Sequence, residues 1–147
     1  MRKGLIGLGI LVLVIAGGAL ASRLLSQDTT SFGPDPGPFN PLPTCPDSPN
    51  CVRVTWTYEH PPELVFDELR QALDETGGIL ITADEQGLRV ETVYRALFFN
   101  DDVVAVVETA GEGAAVHLRS ASRVGYSDLG VNGRRVRRLQ RALDQRL

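Results

Sequence analysis

Three serines, two arginines, an aspartate and an asparagine share fourteen residues, RSASRVGYSDLGVN, from Arg119 to Asn132. The guanidinium groups of Arg119 and Arg123 offer forked donors that suit a carboxylate or a phosphate. The Asp101-Asp102 pair upstream could supply such carboxylates from within the chain. A serine hydroxyl becomes a nucleophile when a positioned histidine and an acid stand behind it. Ser120, Ser122, His117 and Asp102 are the residues of those types nearby. Alternate strand residues share a face, however. Val116, Leu118, Ser120, Ser122 and Val124 then point inward, while His117, Arg119, Ala121 and Arg123 point outward. Serines and histidine are on opposite sides. No nucleophile-elbow glycine pattern and no phosphate-binding glycine loop surrounds them. Gly125 and Gly130 permit unusual backbone angles, and Asp128 or Asn132 can cap a following helix. Three readings stand. The strip is a strand–helix joint with an arginine–aspartate brace, or an anion receptor, or a small hydrolase-like site using Arg119, Ser120, Ser122, Arg123 and Asp128. A buried brace predicts that Arg123→Ala is strongly destabilising.

The elements around the strip follow from periodicity. Val52–Tyr58 alternates apolar and polar residues and reads as a strand. Pro61-Pro62 opens a helix with an apolar stripe of Val65, Phe66, Leu69, Ala72 and Leu73, and Gly77-Gly78 ends it. Strands are expected at 78–83, 88–99, 103–109 and 114–124. Turns are expected at 84–87, at Asn100-Asp101-Asp102 and at 111–113. A last helix follows Leu129, with Val136, Leu139, Ala142 and Leu143 facing inward. Short connections make the later strands antiparallel. The expected fold is α+β: a curved antiparallel sheet of about five strands, with two helices packed on one face.

The N-terminus reads as an address. Arg2 and Lys3 precede eighteen uncharged residues, Gly4–Ala21. That run is long for a signal-peptide core and long enough for a spanning helix. Ala19-Leu20-Ala21 matches a cleavage pattern, whereas Leu24-Leu25 extends the apolar run. A signal-anchor helix held by residues 4–21 is the first expectation, and secretion after cleavage following Ala21 the second. Either way the domain lies outside the cytoplasm, in the periplasm or at the cell exterior. Residues 1–25 are thus the address, 26–44 a proline-rich spacer and 45–147 one domain.

Cys45 and Cys51 are the only cysteines. In an exported chain such a pair forms a disulfide. A structural zinc site needs about four ligands, and a redox pair prefers C-x-x-C spacing. The two histidines, His60 and His117, do not make a multi-histidine metal site, so neither metal nor cofactor is expected. The net charge of −3 gives no electrostatic case for nucleic acid. The chain is nevertheless polarised. The first helix carries Glu63, Asp67, Glu68, Asp74 and Glu75, and the last carries Arg134, Arg135, Arg137, Arg138 and Arg141. The arginine face is either solvated and paired with the acidic helix, or it touches anionic lipid headgroups beside the anchor.

Three segments, Cys45–Val52, Asp101-Asp102 before a valine-rich strand, and Arg119–Asn132, together resemble the bacterial and plastid domain-of-unknown-function family 1499 over residues 44–147. The resemblance brings no activity with it. It marks Cys45, Asn50, Cys51, Asp101, Asp102, Arg119, Ser120, Ser122, Arg123, Asp128, Gly130 and Asn132 as residues of interest. The functional expectation is a membrane-tethered, extracytoplasmic, non-enzymatic binding or interaction module. The alternatives are the small enzyme above and a scaffold component of an envelope complex bound to an envelope protein.

Overall fold

The computed structural model describes residues 32, 35–96 and 99–147. Five strands form one antiparallel sheet: β1 (Cys51–Tyr58), β2 (Ile79–Asp84), β3 (Arg89–Ala96), β4 (Phe99–Ala110) and β5 (Gly113–Ser122). Their order across the sheet is β1-β5-β4-β3-β2. Helix α1 (Pro62–Glu75) joins β1 to β2, and helix α2 (Val131–Asp144) follows β5. The expected α+β arrangement is what the chain adopts. Hairpins link β2 through β5, and α1 carries the chain from one edge strand to the other.

The core lies between the sheet and the helices. Val65, Phe66, Leu69, Ala72 and Leu73 of α1 are buried, as their helical spacing requires. Val136, Leu139 and Leu143 of α2 are fully buried, and Ala142 packs at the margin. They meet Val54, Val90, Val103, Ala105, Val116 and Leu118 from alternate strand positions. Gly113 is where β5 turns in under the end of β1. A Cβ there would stand 2.0 Å from the Tyr58 carbonyl oxygen, so only glycine fits.

The expected turn at Asn100–Asp102 is not a turn. These residues lie in β4, with Asp101 opposite Tyr94 and Asp102 opposite Val93. The hairpin reverses between Ala96 and Phe99, which are paired with each other. Adjacent acids are rare in strands. Here each carboxylate meets an arginine, one on each face of the sheet, and the strand tolerates both.

The proline-rich stretch is only partly a spacer. From Asp35 to Leu42 it lies against β1. Arg53 donates to Asp35 and to the carbonyls of Gly37 and Asn40. The Asn40 amide donates to the Val54 carbonyl at 2.9 Å, and Asn40 and Leu42 are buried. This strap covers a sheet edge that would otherwise present free backbone groups. Phe32 packs beside α2, where the Arg137 guanidinium lies 5.1 Å from its ring. Cys45 and Cys51 form a disulfide, with Cα atoms 5.7 Å apart. Among the described residues no helix is long and apolar enough to cross a membrane. The anchor expected at residues 4–21 lies outside the described residues.

Candidate functional site

The polar strip is divided between the two faces of the sheet, and the two halves do different things. On the inner face, Ser120 is fully buried and donates to the side-chain oxygen of Asn132. Arg135 donates to Ser120 Oγ at 3.1 Å and to Asn132 Oδ1, and its Nη2 reaches Asp101 Oδ2 at 2.6 Å. The Asn132 side-chain amide donates to the Asn50 carbonyl, to Ser122 Oγ and to Asp128 Oδ2, at 3.1, 3.0 and 2.8 Å. Asp128 also accepts from the backbone N–H groups of Gly130 and Asn132, which caps α2. Gly130 takes a left-handed conformation, φ 75°, at the start of α2. Asp101, Ser120, Asn132 and Arg135 therefore form one buried network that bolts α2 to β4 and β5. Their buried side-chain groups have partners, as buried polar groups must.

On the outer face, Arg123 grips Asp102 in a fork of 2.8 and 3.0 Å, with both side chains about half exposed. The contact with Asp102 raises the Arg123 pKa. Arg119 stands directly across from Arg53 of β1. Its pKa is lowered by burial and by Arg53, against the pull of Asp102, and its buried Nε has no partner among the described residues. The brace expected between arginines and aspartates is real, but its membership differs. Asp102 pairs with Arg123, while Asp101 pairs with Arg135, a residue outside the strip. The face of Arg135 was legible: it stands one turn before Leu139, as Asn132 stands one turn before Val136, so both continue the inward stripe of α2.

The hydrolase arrangement is not assembled. His117 shares a hydrogen bond of 2.9 Å with Thr55 Oγ1 and lies 3.4 Å from Glu108, on the face opposite Ser120 and Ser122. Burial lowers its pKa, against the pull of Glu108. Both serine hydroxyls are spent in the α2 joint. Among the described residues no three of His, Cys, Asp and Glu come together as a metal site.

What the sequence did not reveal is a basic cleft of about 420 Å³ beside that joint. It is lined by Thr76 and Gly77 after α1, by Tyr94 and Arg95 of β3, and by Val131, Arg134, Arg135 and Arg138 of α2. Arg135 is already committed to Asp101, with its guanidinium 4.7 Å from the Tyr94 ring. Arg95, Arg134 and Arg138 are exposed and have no carboxylate partner among the described residues. Arg134 holds its place by donating to the Leu129 carbonyl at 2.9 Å. Tyr94 donates to the Leu73 carbonyl and shares a hydrogen bond with Thr76. Burial raises the Tyr94 pKa, while Thr76, Arg135 and Arg138 pull it down against a smaller upward push from Asp74. A second cleft, of about 470 Å³, lies between α1 and β2–β3. Its one arginine, Arg70, is paired with Glu85, and Asp67 and Asp74 share the space. Of these two clefts, only the basic one carries uncompensated positive charge.

A family model described as "Protein of unknown function (DUF1499)" matches residues 41–143. The chain belongs to the DUF1499 family. The DUF1499 match takes in the disulfide, all five strands and nearly all of α2, and therefore every residue of the joint and of the basic cleft. No curated protein matches the chain. Among solved structures it is similar to Ara h 8.0201, at 9% identity and a TM-score of 0.51, over 65% of this chain and 96% of that one. It is also similar to TTHA0849 from Thermus thermophilus, at 16% identity and a TM-score of 0.47, over 65% and 95%. A third is CV1439 from Chromobacterium violaceum, at 9% identity and a TM-score of 0.46, over 65% and 97%. At such identities the likeness to Ara h 8.0201 is one of fold.

Proposed function

We propose that this DUF1499 chain is a membrane-tethered, extracytoplasmic, non-enzymatic binding module that receives a small anionic group in its basic cleft. The observation carrying this reading is that Arg95, Arg134 and Arg138 all line one concavity and none of them is paired with a carboxylate among the described residues. Arginines placed so present fixed donors to a phosphate or carboxylate. Tyr94 and Arg135 form a rigid floor, because each is already held by other partners. Arg119 and Arg123 of the polar strip support an anion site less well, since Arg123 is occupied by Asp102. Binding is favoured over hydrolysis because Ser120 and Ser122 serve the joint and His117 faces away from them. The basic Arg2-Lys3 flank and uncharged 4–21 run support the tether, and the Cys45–Cys51 disulfide supports a compartment outside the cytoplasm.

Thermal melts of the full chain in neutral detergent, with and without inorganic phosphate, test the cleft. A native-state ligand raises the midpoint through mass action. Phosphate is expected to raise it at constant ionic strength, and Arg138→Ala to abolish the rise. A rise that survives Arg138→Ala combined with Arg95→Ala would place the anion elsewhere and overturn the assignment.

A further inference from the structure

The two ends of the sheet differ in a way the anion site alone does not explain. At one end lie the start of β1, the β3–β4 reversal, the end of β5, the close of α1 and the start of α2. That end carries Phe99, Val124, Tyr126 and Leu129, which are 56, 53, 73 and 55% exposed. They form neighbouring tips, because the Arg123 backbone N–H donates to the Asn100 carbonyl and ties the β5–α2 connection to the β3–β4 hairpin. Arg134 reaches the Leu129 carbonyl and so joins the tips to the basic cleft. Three acids of this end are occupied: Asp101 and Asp102 are paired with arginines, and Asp128 caps α2. That leaves the exposed Asp47 of the cysteine loop and Asp74 at the close of α1 against the exposed Arg95, Arg134 and Arg138. The opposite end carries Glu59, Glu63, Asp84, Glu85, Glu108 and Glu112 around the β1–α1, β2–β3 and β4–β5 connections. One end is apolar and cationic, and the other is acidic.

We infer that the Phe99–Tyr126–Leu129 end docks on an anionic bilayer, with the tips in the interfacial layer and a lipid phosphate headgroup in the Arg95–Arg134–Arg138 cleft. This deepens the anion-binding reading and rests on it. Aromatic and aliphatic side chains set among arginines are what an interfacial surface needs: apolar area for the acyl boundary and cations for the headgroups. Exposed apolar side chains grouped with unpaired cations also fit a bilayer better than bulk water. The acidic end, repelled by anionic lipid, faces away. Chain length agrees. Phe32 rests on α2 beside Gly133 and Arg137, one turn from the cleft. Residues 22–31 reach about 35 Å at full extension, enough to join an anchor at 4–21 to a domain lying against the same membrane.

Bromolipid quenching on the full chain reconstituted in vesicles tests this. Tyr126→Trp puts a reporter at the apolar tip, and Glu112→Trp puts one at the acidic end. The unaltered chain, with buried Trp56, sets the baseline. In brominated phosphatidylcholine containing phosphatidylglycerol, the Tyr126→Trp emission is expected to be quenched and the Glu112→Trp emission to persist. Quenching should fall when phosphatidylglycerol is omitted, or when Arg95→Ala and Arg138→Ala are added. Persistence of the Tyr126→Trp emission, equal quenching at both ends, or quenching independent of phosphatidylglycerol overturns the inference. If the tip stays unquenched while inorganic phosphate still raises the melting midpoint, the cleft takes a soluble anion. If phosphate has no effect either, both readings fall.

Discussion

Asp101 and Asp102 are neighbours in the chain, yet they belong to different electrostatic worlds. Asp101 points into the helix face of the sheet, is 1% exposed, and meets Arg135 of α2. Asp102 points the other way, is about half exposed, and meets Arg123, the residue just after β5. The first pair is cross-linked to Ser120 and Asn132 and lies under a helix, where removing a partner strands a charge away from water. The second can exchange its partner for water at little loss. A count of arginine–aspartate pairs would rank them equally, but burial separates them.

The largest expected effect follows from breaking the inner pair. Arg135→Ala leaves the Asp101 carboxylate buried and alone, and should cost about 3–5 kcal/mol in denaturant unfolding. Replacing both partners with apolar residues, Asp101→Leu with Arg135→Met, should recover much of that loss, because no charge then remains to desolvate. A small effect of Arg135→Ala alone would erase the distinction between the two pairs.

Next comes the disulfide, which pins Asn50 where its carbonyl accepts from Asn132 and from the Ser122 backbone N–H. Opening it with Cys45→Ser and Cys51→Ser should cost about 2 kcal/mol through the freed unfolded chain. Native-state hydrogen exchange should show faster exchange at the start of β1 and α2, with the Arg123–Asp102 region unchanged. Uniform acceleration across the sheet would mean that the loop stabilises the whole domain rather than the inner joint.

The smallest expected effect is that of Arg123→Ala. Solvent already screens its fork to Asp102, so denaturant melts of this variant should overlay those of the parent. The brace that the strip suggests would then contribute to stability only on its inner side. A loss comparable to that of Arg135→Ala would show the outer pair to be as important as the inner one.

The amino-acid sequence by itself determined the helices, the strand faces and the cysteine pair. These rest on local periodicity, on proline and glycine at element ends, and on two thiols six positions apart. It determined that Ser120 and Ser122 face inward and Arg119 and Arg123 outward, because alternation follows from the extended backbone of a strand. It did not determine where the β3–β4 hairpin reverses. Two adjacent aspartates look like a turn until each has an arginine partner, and those partners stand 21 and 34 residues away. Only the tertiary structure decided that Arg135 meets Asp101 while Arg134 and Arg138 are left without carboxylates. Likewise the cleft exists only where Thr76, Arg95 and Arg134 meet. Three segments distant in the chain create it, and no local pattern encodes a concavity whose walls come together only when α2 packs across the sheet.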